Sequence, residues 1–135
     1  MNVLNFEIIT PESVLVREEV DMVEAKGVFG EFGILPGHAK FLTILEIGEV
    51  RYMKDGKTTH LATSGGFAEV LDDTVMFLLD TAELAEEIDI ERAKRAEQRV
   101  EAALKEIPTD SSEYKKYELA LLRAIARISV ASKEL

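Results

Sequence analysis

All eight glycines of this 135-residue chain lie within its first 66 residues, and none follows. Glycine is common in the turns between strands and weakens helices, so its distribution separates two kinds of structure. Short apolar segments alternate with turn residues up to Asp80, whereas alanine, glutamate, leucine and arginine, all good helix formers, dominate beyond it. We therefore expect strands in the first part of the chain and helices in the second.

The first 80 residues follow the period of two that is typical of β-strands. Leu4, Phe6 and Ile8 alternate with polar residues, and residues 54–57 read Lys-Asp-Gly-Lys, a hairpin turn signal. Short strands at close spacing predict a β-sandwich. Residues 75–79 are apolar at every position, so we expect this strand at the centre of the sheet.

The last part of the chain predicts two helices joined by a short polar loop. Asp89 is a candidate N-cap for the first helix, with Ile88 and Ala93 placed as a hydrophobic staple. Residues 108–112, Pro-Thr-Asp-Ser-Ser, break this helix and offer a new N-cap. Because the connection is short, the two helices should form an antiparallel hairpin.

The predicted fold class is β + α in two domains, an N-terminal β-sandwich over residues 1–84 and a C-terminal helical hairpin over residues 85–135. The apolar stripes of the helices are narrow and rich in alanine, so they bury little area. Such a hairpin has a thin margin over its ordering entropy. We expect it to dock on the sandwich, on a partner, or on each in turn.

Composition excludes several classes of function. The net charge of −10 disfavours nucleic acid as a partner. The absence of cysteine removes disulfide and thiol chemistry, and no apolar run reaches the length of a membrane span. The N-terminus has no basic targeting region, so we expect any link to a membrane to come through a partner. The spacing yields no catalytic set and no metal-ligand cluster.

Residues 27–37 combine four glycines and a proline with large apolar side chains. A flexible linker would not carry this many apolar residues, so we expect an ordered turn; it lacks the spacing of a phosphate-binding loop. Glu31 lies between Phe29 and Phe32, which is typical of a protein-docking tip. A purely structural β-connection remains the alternative, and it accounts for the aromatic residues but not for Glu31.

The string over residues 27–45, G-V-F-G-E-F-G-I-L-P-G-H-A-K-F-L-T-I-L, resembles the signature of the epsilon subunit of F-type ATP synthases, of the bacterial type. The family usually has proline where this chain has Lys40, which makes the local backbone there a point of difference. Residues 64–70, 85–93 and 122–128 are similar to further family motifs, so the resemblance covers the whole chain.

The resemblance implies a non-catalytic central-stalk (rotor) subunit of a proton-translocating ATP synthase, peripheral on the cytoplasmic side of the inner membrane. Its partners would be the gamma (shaft) subunit, the membrane ring and, through the C-terminal helices, the catalytic head subunits, with a mobile hairpin that inhibits ATP hydrolysis. The partner-binding residues are then Phe29, Glu31, Phe32 and His38. For His38 the resemblance implies contact with the shaft. A local turn hydrogen bond is the competing explanation for His38, and His60 fits a structural role.

Residues 88–93 are similar to the motif that binds ATP in bacterial members of the family. No cofactor is required, and ATP would be a regulatory ligand. The implied binding residues are Glu83, Ile88, Asp89, Arg92, Ala93, Arg99, Arg123 and Arg127. Arginines four or seven positions apart share a helix face. If the two arginine faces meet in the hairpin, they repel one another unless an anion such as a triphosphate lies between them.

Other interpretations of the same residues stay open. Asp89 can act as a helix cap alone, and the arginines can pair with glutamates on a solvated hairpin. A free-standing ATP-binding sensor outside the synthase is the competing function. A small enzyme with its site in the sandwich is a third class, disfavoured by the missing catalytic set.

Overall fold

A computed structural model describes residues 2–134, so Met1 and Leu135, the ends of the two predicted domains, lie outside the described residues. The strands are β1 (Leu4–Ile9), β2 (Val14–Val20), β3 (Met22–Gly27), β4 (Gly30–Ile34), β5 (Phe41–Lys54), β6 (Lys57–Thr63), β7 (Gly66–Leu71), β8 (Thr74–Leu79) and β9 (Ala82–Leu84). The helices are α1 (Ile90–Leu104) and α2 (Ser112–Ala131), with short 3-10 helices at Ala85–Glu87 and Ser132–Glu134.

Strand β5 links the two layers of the sandwich. The strand order is β2-β1-β8-β7-β5-β3-β4, and β6 pairs with both β5 and β9. Residues 41–45 of β5 pair with β7, whereas residues 48–54 pair with β6. The buried side chains of β5 stand at odd-numbered positions up to Leu45 and at even-numbered positions from Val50 onward. The change occurs because the strand turns over as it passes between the layers. The predicted β-sandwich is confirmed, and so is the central position of residues 75–79, since β8 lies between β1 and β7.

The core of the sandwich contains an aromatic cluster that joins the layers. The Phe6 ring lies 5.3 Å from the Tyr52 ring and 5.2 Å from the Phe77 ring, both in edge-to-face geometry. All three side chains are buried. Edge-to-face pairs contribute about 0.5–1.5 kcal/mol beyond the burial of their area. The alternation read from Leu4, Phe6 and Ile8 therefore identifies the buried face of β1 correctly.

The helix caps form where the sequence predicts them. The Asp89 carboxylate accepts a hydrogen bond from the Arg92 backbone N–H at 3.0 Å, and Ile88 and Ala93 are both buried. The Ser111 hydroxyl oxygen accepts from the Glu113 N–H at 3.2 Å and starts α2. Each cap satisfies a backbone donor that the helix itself cannot pair.

The hairpin docks on the sandwich through a small second cluster, separate from the main core. Its members are mostly small side chains: Ala62 from the sandwich, with Ala85, Ile88, Val130 and Ala131. Helix α2 contacts β5 and β6. Part of the apolar surface of α2 faces solvent instead, because Tyr117, Leu122 and Ile125 are exposed. The docking contact is therefore shallow, as the alanine-rich stripes led us to expect.

Across residues 2–134, neither helix combines the length and the apolar character needed to cross a bilayer.

Candidate functional sites

A cavity of about 450 Å³ lies between the hairpin and the edge of the sandwich. Its volume falls within the range of about 300–1,000 Å³ that is usual for small-molecule sites. Four alanines leave the space open, and two arginines, a glutamate and several hydroxyls make the wall polar. The lining residues are Ala62, Thr63, Ser64, Thr81, Glu83, Ala96, Ala120, Arg123, Ala124 and Arg127.

An ion pair between Glu83 of β9 and Arg127 of α2 borders this cavity. Arg127 Nε lies 2.8 Å from Glu83 Oε1, and Arg127 Nη2 donates to Glu83 Oε2 at 3.2 Å. The Nε contact is short but poorly directed, since the buried Nε–H makes no well-formed hydrogen bond. We therefore describe the pair as a salt bridge with one hydrogen bond, which leaves the guanidinium donors incompletely used.

A chain of hydroxyl groups forms the sandwich side of the cavity. Thr63 Oγ1 donates to the Thr81 carbonyl at 2.9 Å and accepts from the Gly65 N–H at 3.0 Å. Thr81 Oγ1 donates to Ser64 Oγ at 2.8 Å. Thr63 is buried, and these bonds satisfy it. Sequence reasoning missed this group, because Thr63 and Thr81 meet only through the pairing of β6 with β9.

Three of the residues implied as ATP-binding come together at this cavity, namely Glu83, Arg123 and Arg127. Arg92 and Arg99 are exposed on α1 and do not line it. Arg92 lies four residues before Ala96, and Arg99 lies three residues after it. Because Ala96 lines the cavity, the Cα atoms of both arginines lie on the cavity-facing side of α1.

The remaining three implied residues have structural partners. Asp89 caps α1, Ile88 belongs to the docking cluster, and Ala93 is fully buried. All three lie outside the cavity wall. The assignment of the whole set to ATP stays a prediction.

The glycine-rich segment divides into an exposed tip and a packed base. Phe29, at the tip of the β3–β4 hairpin, is 96% exposed, and Glu31 is also exposed. Phe32 and His38 instead pack edge-to-face on the Phe41 ring, at 5.2 and 5.6 Å between ring centroids. Phe29 and Glu31 therefore fit the docking interpretation alone, whereas Phe32 and His38, both partly exposed, also pack within the fold.

Residues 35–38 form a tight turn at the base of this segment. The His38 N–H donates to the Leu35 carbonyl at 3.1 Å, and Gly37 has a φ of 86°. Proline followed by glycine at positive φ is the signature of a type II turn. His38 Nδ1 also lies 2.7 Å from the Ala39 carbonyl oxygen, so both a backbone and a ring contact hold this residue locally.

The outer face of strands β5, β7 and β8 exposes a group of apolar side chains together with one carboxylate, that of Glu69, which pairs with Leu42 and Met76. Cross-strand pairing aligns Ile44 with Phe67 and Phe67 with Leu78. Leu42 is 69% exposed and Leu78 is 46% exposed. We call Leu42, Ile44, Phe67, Met76 and Leu78 the outer apolar face. An exposed apolar surface of this kind is a candidate interaction site. In the sequence, this surface is indicated by residues 75–79, which are apolar at every position. In the structure, the strand that they form is covered on one side only.

A charged network lies where the end of the hairpin meets the sandwich. Arg51 contacts Glu24 at 2.8 Å and Glu49 at 2.9 Å, while His60 Nδ1 lies 2.8 Å from Glu49 and Lys133 Nζ 3.8 Å from it. The hydrogen bond to Glu24 raises the pKa of Arg51 and outweighs the opposing effect of burial. These partners are consistent with a structural role for His60. Within the described part of the chain, no three His, Asp or Glu side chains are grouped as metal ligands.

Comparison with known protein families gives two adjacent matches. Residues 3–85 match the β-sandwich domain of the ATP synthase delta/epsilon chain, and residues 86–132 match its long α-helix domain. The chain is 51% identical over 130 residues to the ATP synthase epsilon chain of Geotalea daltonii, covering 96% of this chain and 94% of the relative. It is 50% identical, with the same coverage, to the epsilon chain of Geobacter sulfurreducens.

Solved structures share the fold. A chain of the Euglena gracilis mitochondrial ATP synthase superimposes with a TM-score of 0.83 at 24% identity, covering 96% of this chain and 81% of that one. A chain from the central stalk and c-ring structure of the Tetrahymena thermophila enzyme gives a TM-score of 0.63 at 12% identity, covering 99% and 98%. With two family matches that together span residues 3–132 and relatives of about half identity, the chain belongs to the ATP synthase delta/epsilon chain family.

Proposed function

We propose that this chain is a non-catalytic rotor subunit in the central stalk of a bacterial proton-translocating F-type ATP synthase. The observation that carries the proposal is its 51% identity, over 96% of its length, to a protein named ATP synthase epsilon chain. The solved neighbours come from ATP synthase assemblies, one of them described as central stalk and c-ring. On this proposal the protein is peripheral on the cytoplasmic side of the inner membrane, reaches the membrane only through the complex, and binds no nucleic acid.

The sandwich offers two surfaces suited to coupling the shaft to the ring. The outer apolar face lies close in the chain to the glycine-rich segment, residues 27–37, because Leu42 and Ile44 stand at the start of β5. We assign the gamma (shaft) subunit to this face, since burial of the apolar side chains would stabilise a permanent contact. The tip, with Phe29 and Glu31 exposed side by side, suits the polar loops of the membrane ring.

The hairpin is proposed as the regulatory element. Its docking cluster is small, so undocking exposes little apolar area. Helix α2 and the short helix after it also carry cations on an otherwise acidic chain: Lys115, Lys116, Arg123, Arg127 and Lys133. Together with the exposed Tyr117, Leu122 and Ile125, these residues suit acidic and apolar surfaces on the catalytic head subunits. An extended hairpin would insert between those subunits and block ATP hydrolysis.

ATP is proposed as the ligand that favours the docked hairpin. The cavity exists only while α1 and α2 lie against β6 and β9, since all four elements contribute to its wall. Arg123 and Arg127 supply guanidinium groups for the phosphates, with Arg92 and Arg99 on the cavity-facing side of α1. A ligand that binds only the docked state shifts the equilibrium by its differential affinity.

Co-purification from the native bacterium tests the principal proposal. The tagged chain should be recovered from detergent-solubilised membranes together with the catalytic subunits and the shaft. A tagged cytosolic protein of similar size serves as the control for non-specific recovery. Recovery of the chain without ATPase subunits, while it still binds ATP, would favour the free-standing sensor instead.

A further inference from the structure

The turn between β7 and β8 has an unusual backbone for its sequence. Asp72 and Asp73 have φ values of 48° and 62°, so both central residues are left-handed. Two-residue hairpins of this type favour Asn-Gly, because a side chain in the left-handed region is strained. Here neither position is glycine. A strained residue at a turn is a reason to ask what its side chain does.

The side chain of Asp73 is bonded to the glycine-rich segment. Its Oδ1 accepts a hydrogen bond from the Gly37 N–H at 2.7 Å, and its backbone carbonyl accepts from the Asn5 N–H at 2.8 Å. The Asp73 carboxylate therefore connects the β7–β8 turn to a residue 36 positions away in the chain. A bond of this length to a carboxylate is a strong, charge-assisted one.

The bonded N–H belongs to the peptide between Pro36 and Gly37, the central peptide of the type II turn. The orientation of this peptide distinguishes a type II turn from a type I turn. An acceptor placed on its N–H therefore selects one of the two orientations. Gly37, with φ of 86°, has the conformation that the selected turn requires.

The type II turn also sets the position of His38. The His38 N–H closes the turn on the Leu35 carbonyl, and its ring packs on Phe41 at 5.6 Å. Phe41 contacts Phe32 at 5.2 Å and opens β5, which carries the outer apolar face. The Gly37 bond therefore lies at the start of a row of contacts that leads to the predicted partner-binding residues.

We propose that Asp73 is a positioning residue for partner binding: its carboxylate holds the Pro36–Gly37 peptide and thereby orients His38 for the shaft. Because this role rests on the proposed function, its test has one arm that needs no partner and one that does. The neighbouring Asp72 is the matched control, since it shares the turn, the charge and the positive φ.

The first arm measures amide and aromatic resonances of the full-length protein by NMR. Asp73→Gly keeps the left-handed backbone accessible and removes the acceptor, so the Gly37 amide proton should shift strongly upfield, and the His38 and Phe41 ring resonances should move. Asp72→Gly should leave all three in place. Equal shifts in both variants, or none in either, would overturn the positioning role.

The second arm measures affinity for the purified shaft subunit of the same organism. Asp73→Gly should bind roughly tenfold more weakly, because without the acceptor only about a tenth of the free molecules would hold the turn in the orientation that the shaft selects. Its melting temperature should stay close to that of the wild type, because relief of the left-handed strain at this position offsets the lost hydrogen bond. Asp72→Gly should bind as the wild type does, and Asp73→Asn, which keeps an acceptor oxygen, should recover part of the affinity.

The outcomes separate the two proposals. If Asp73→Gly binds the shaft as tightly as the wild type does, the positioning role is overturned and the rotor function stays intact. A wild type that does not bind the shaft contradicts the proposed shaft contact, and with it the role of Asp73 in partner binding, whatever the NMR arm shows of the turn. If Asp73→Gly binds weakly and its melting temperature also falls well below that of the wild type, the weak binding reflects a structural role and contradicts positioning.

Discussion

Arg127 Nε lies 2.8 Å from Glu83 Oε1, so the guanidinium that borders the cavity also joins helix α2 to strand β9. The same side chain therefore contacts the sandwich and borders the cavity that we propose as the ATP site. A phosphate entering the cavity would meet a cation already held in place by Glu83, which lowers the entropy cost of binding. On the proposal that ATP binds in the cavity, hairpin docking and anion binding are coupled through Arg127, because Glu83 and the phosphate share its guanidinium donors.

Removing the charge of Glu83 should loosen the hairpin. Glu83→Gln keeps an acceptor oxygen but ends the ion pair, and the cost should be at most about 1 kcal/mol because both partners are partly exposed to solvent. Amide hydrogen exchange should accelerate in α2 and stay unchanged in β1 and β8. Glu18→Gln is the control, because it breaks a surface ion pair with Lys54 in which both partners belong to the sandwich. Unchanged exchange in α2 would show that the pair does not hold the hairpin.

ATP should bind the isolated protein, and both an arginine of the cavity wall and an arginine on the adjoining face of α1 should be required. Calorimetry at millimolar ATP should give a heat of binding that Arg123→Ala and Arg92→Ala abolish, since each removes a charge-assisted bond worth about 1.5–3 kcal/mol. At about 100 times the dissociation constant, ATP should stabilise the docked state by roughly 2.7 kcal/mol.

Lys94→Ala is the matched control for the loss of a cation on α1. Lys94 lies two residues before Ala96, so it projects from the opposite side of the helix. This variant should bind ATP like the wild type. Absence of heat in the wild type, or equal binding by all variants, would return Asp89 to the role of a plain helix cap.

Truncation after Leu84 should leave a folded sandwich. The main core draws on strands β1 to β8, whereas the hairpin packs on the separate cluster around Ala62. Removing the hairpin therefore exposes few apolar side chains of the sandwich. The truncated chain should show a β-type circular dichroism spectrum and a cooperative melting transition. Aggregation under native conditions would mean that residues 1–84 are not an independent domain.

The local features of the fold were predictable because each depends on neighbouring residues. Alternation placed β1, and the Asp89 cap with its staple placed the start of α1. The cavity and the Asp73 bond were not predictable in this way. They bring together residues such as Thr63 and Thr81, or Gly37 and Asp73, whose separation in the sequence is closed only by strand register.

The outer apolar face shows a different limit. A strand that is apolar on both sides predicts burial on both sides, and the sequence cannot state whether its own chain or a partner provides the cover. In the structure Leu78 and Phe67 face outward without cover from the hairpin, which docks on β5 and β6. On the proposed function, the cover over this part of the sheet comes from the shaft subunit.

Polar substitution on the outer apolar face should weaken binding to the shaft subunit while sparing the fold. Leu78→Ser should cost about tenfold or more in affinity, because apolar side chains at the centre of an interface contribute over 1 kcal/mol. Leu122→Ser on α2 is the matched control, since Leu122 and Leu78 are both 46% exposed. Pull-down with the purified shaft, alongside thermal melting, decides the matter. Equal affinity in both variants would remove this face from the interface.

Stability should fall in alkaline solution as the Tyr52 phenol ionises. Burial raises the pKa of Tyr52 above its ordinary value of 10.0, and a hydrogen bond to the Glu18 carboxylate acts in the same direction. The folded state therefore favours the neutral phenol. Its contribution is fully present below the unfolded pKa of about 10 and is lost as the pH rises through the higher folded value.

Urea unfolding at a series of pH values checks this dependence. Wild-type stability should decline above about pH 10 with a component that Tyr52→Phe lacks, since phenylalanine has no proton to release. Tyr117→Phe, at an exposed position on α2, controls for the loss of a hydroxyl as such. Identical pH profiles for the wild type and Tyr52→Phe would show that the buried phenol does not govern alkaline unfolding.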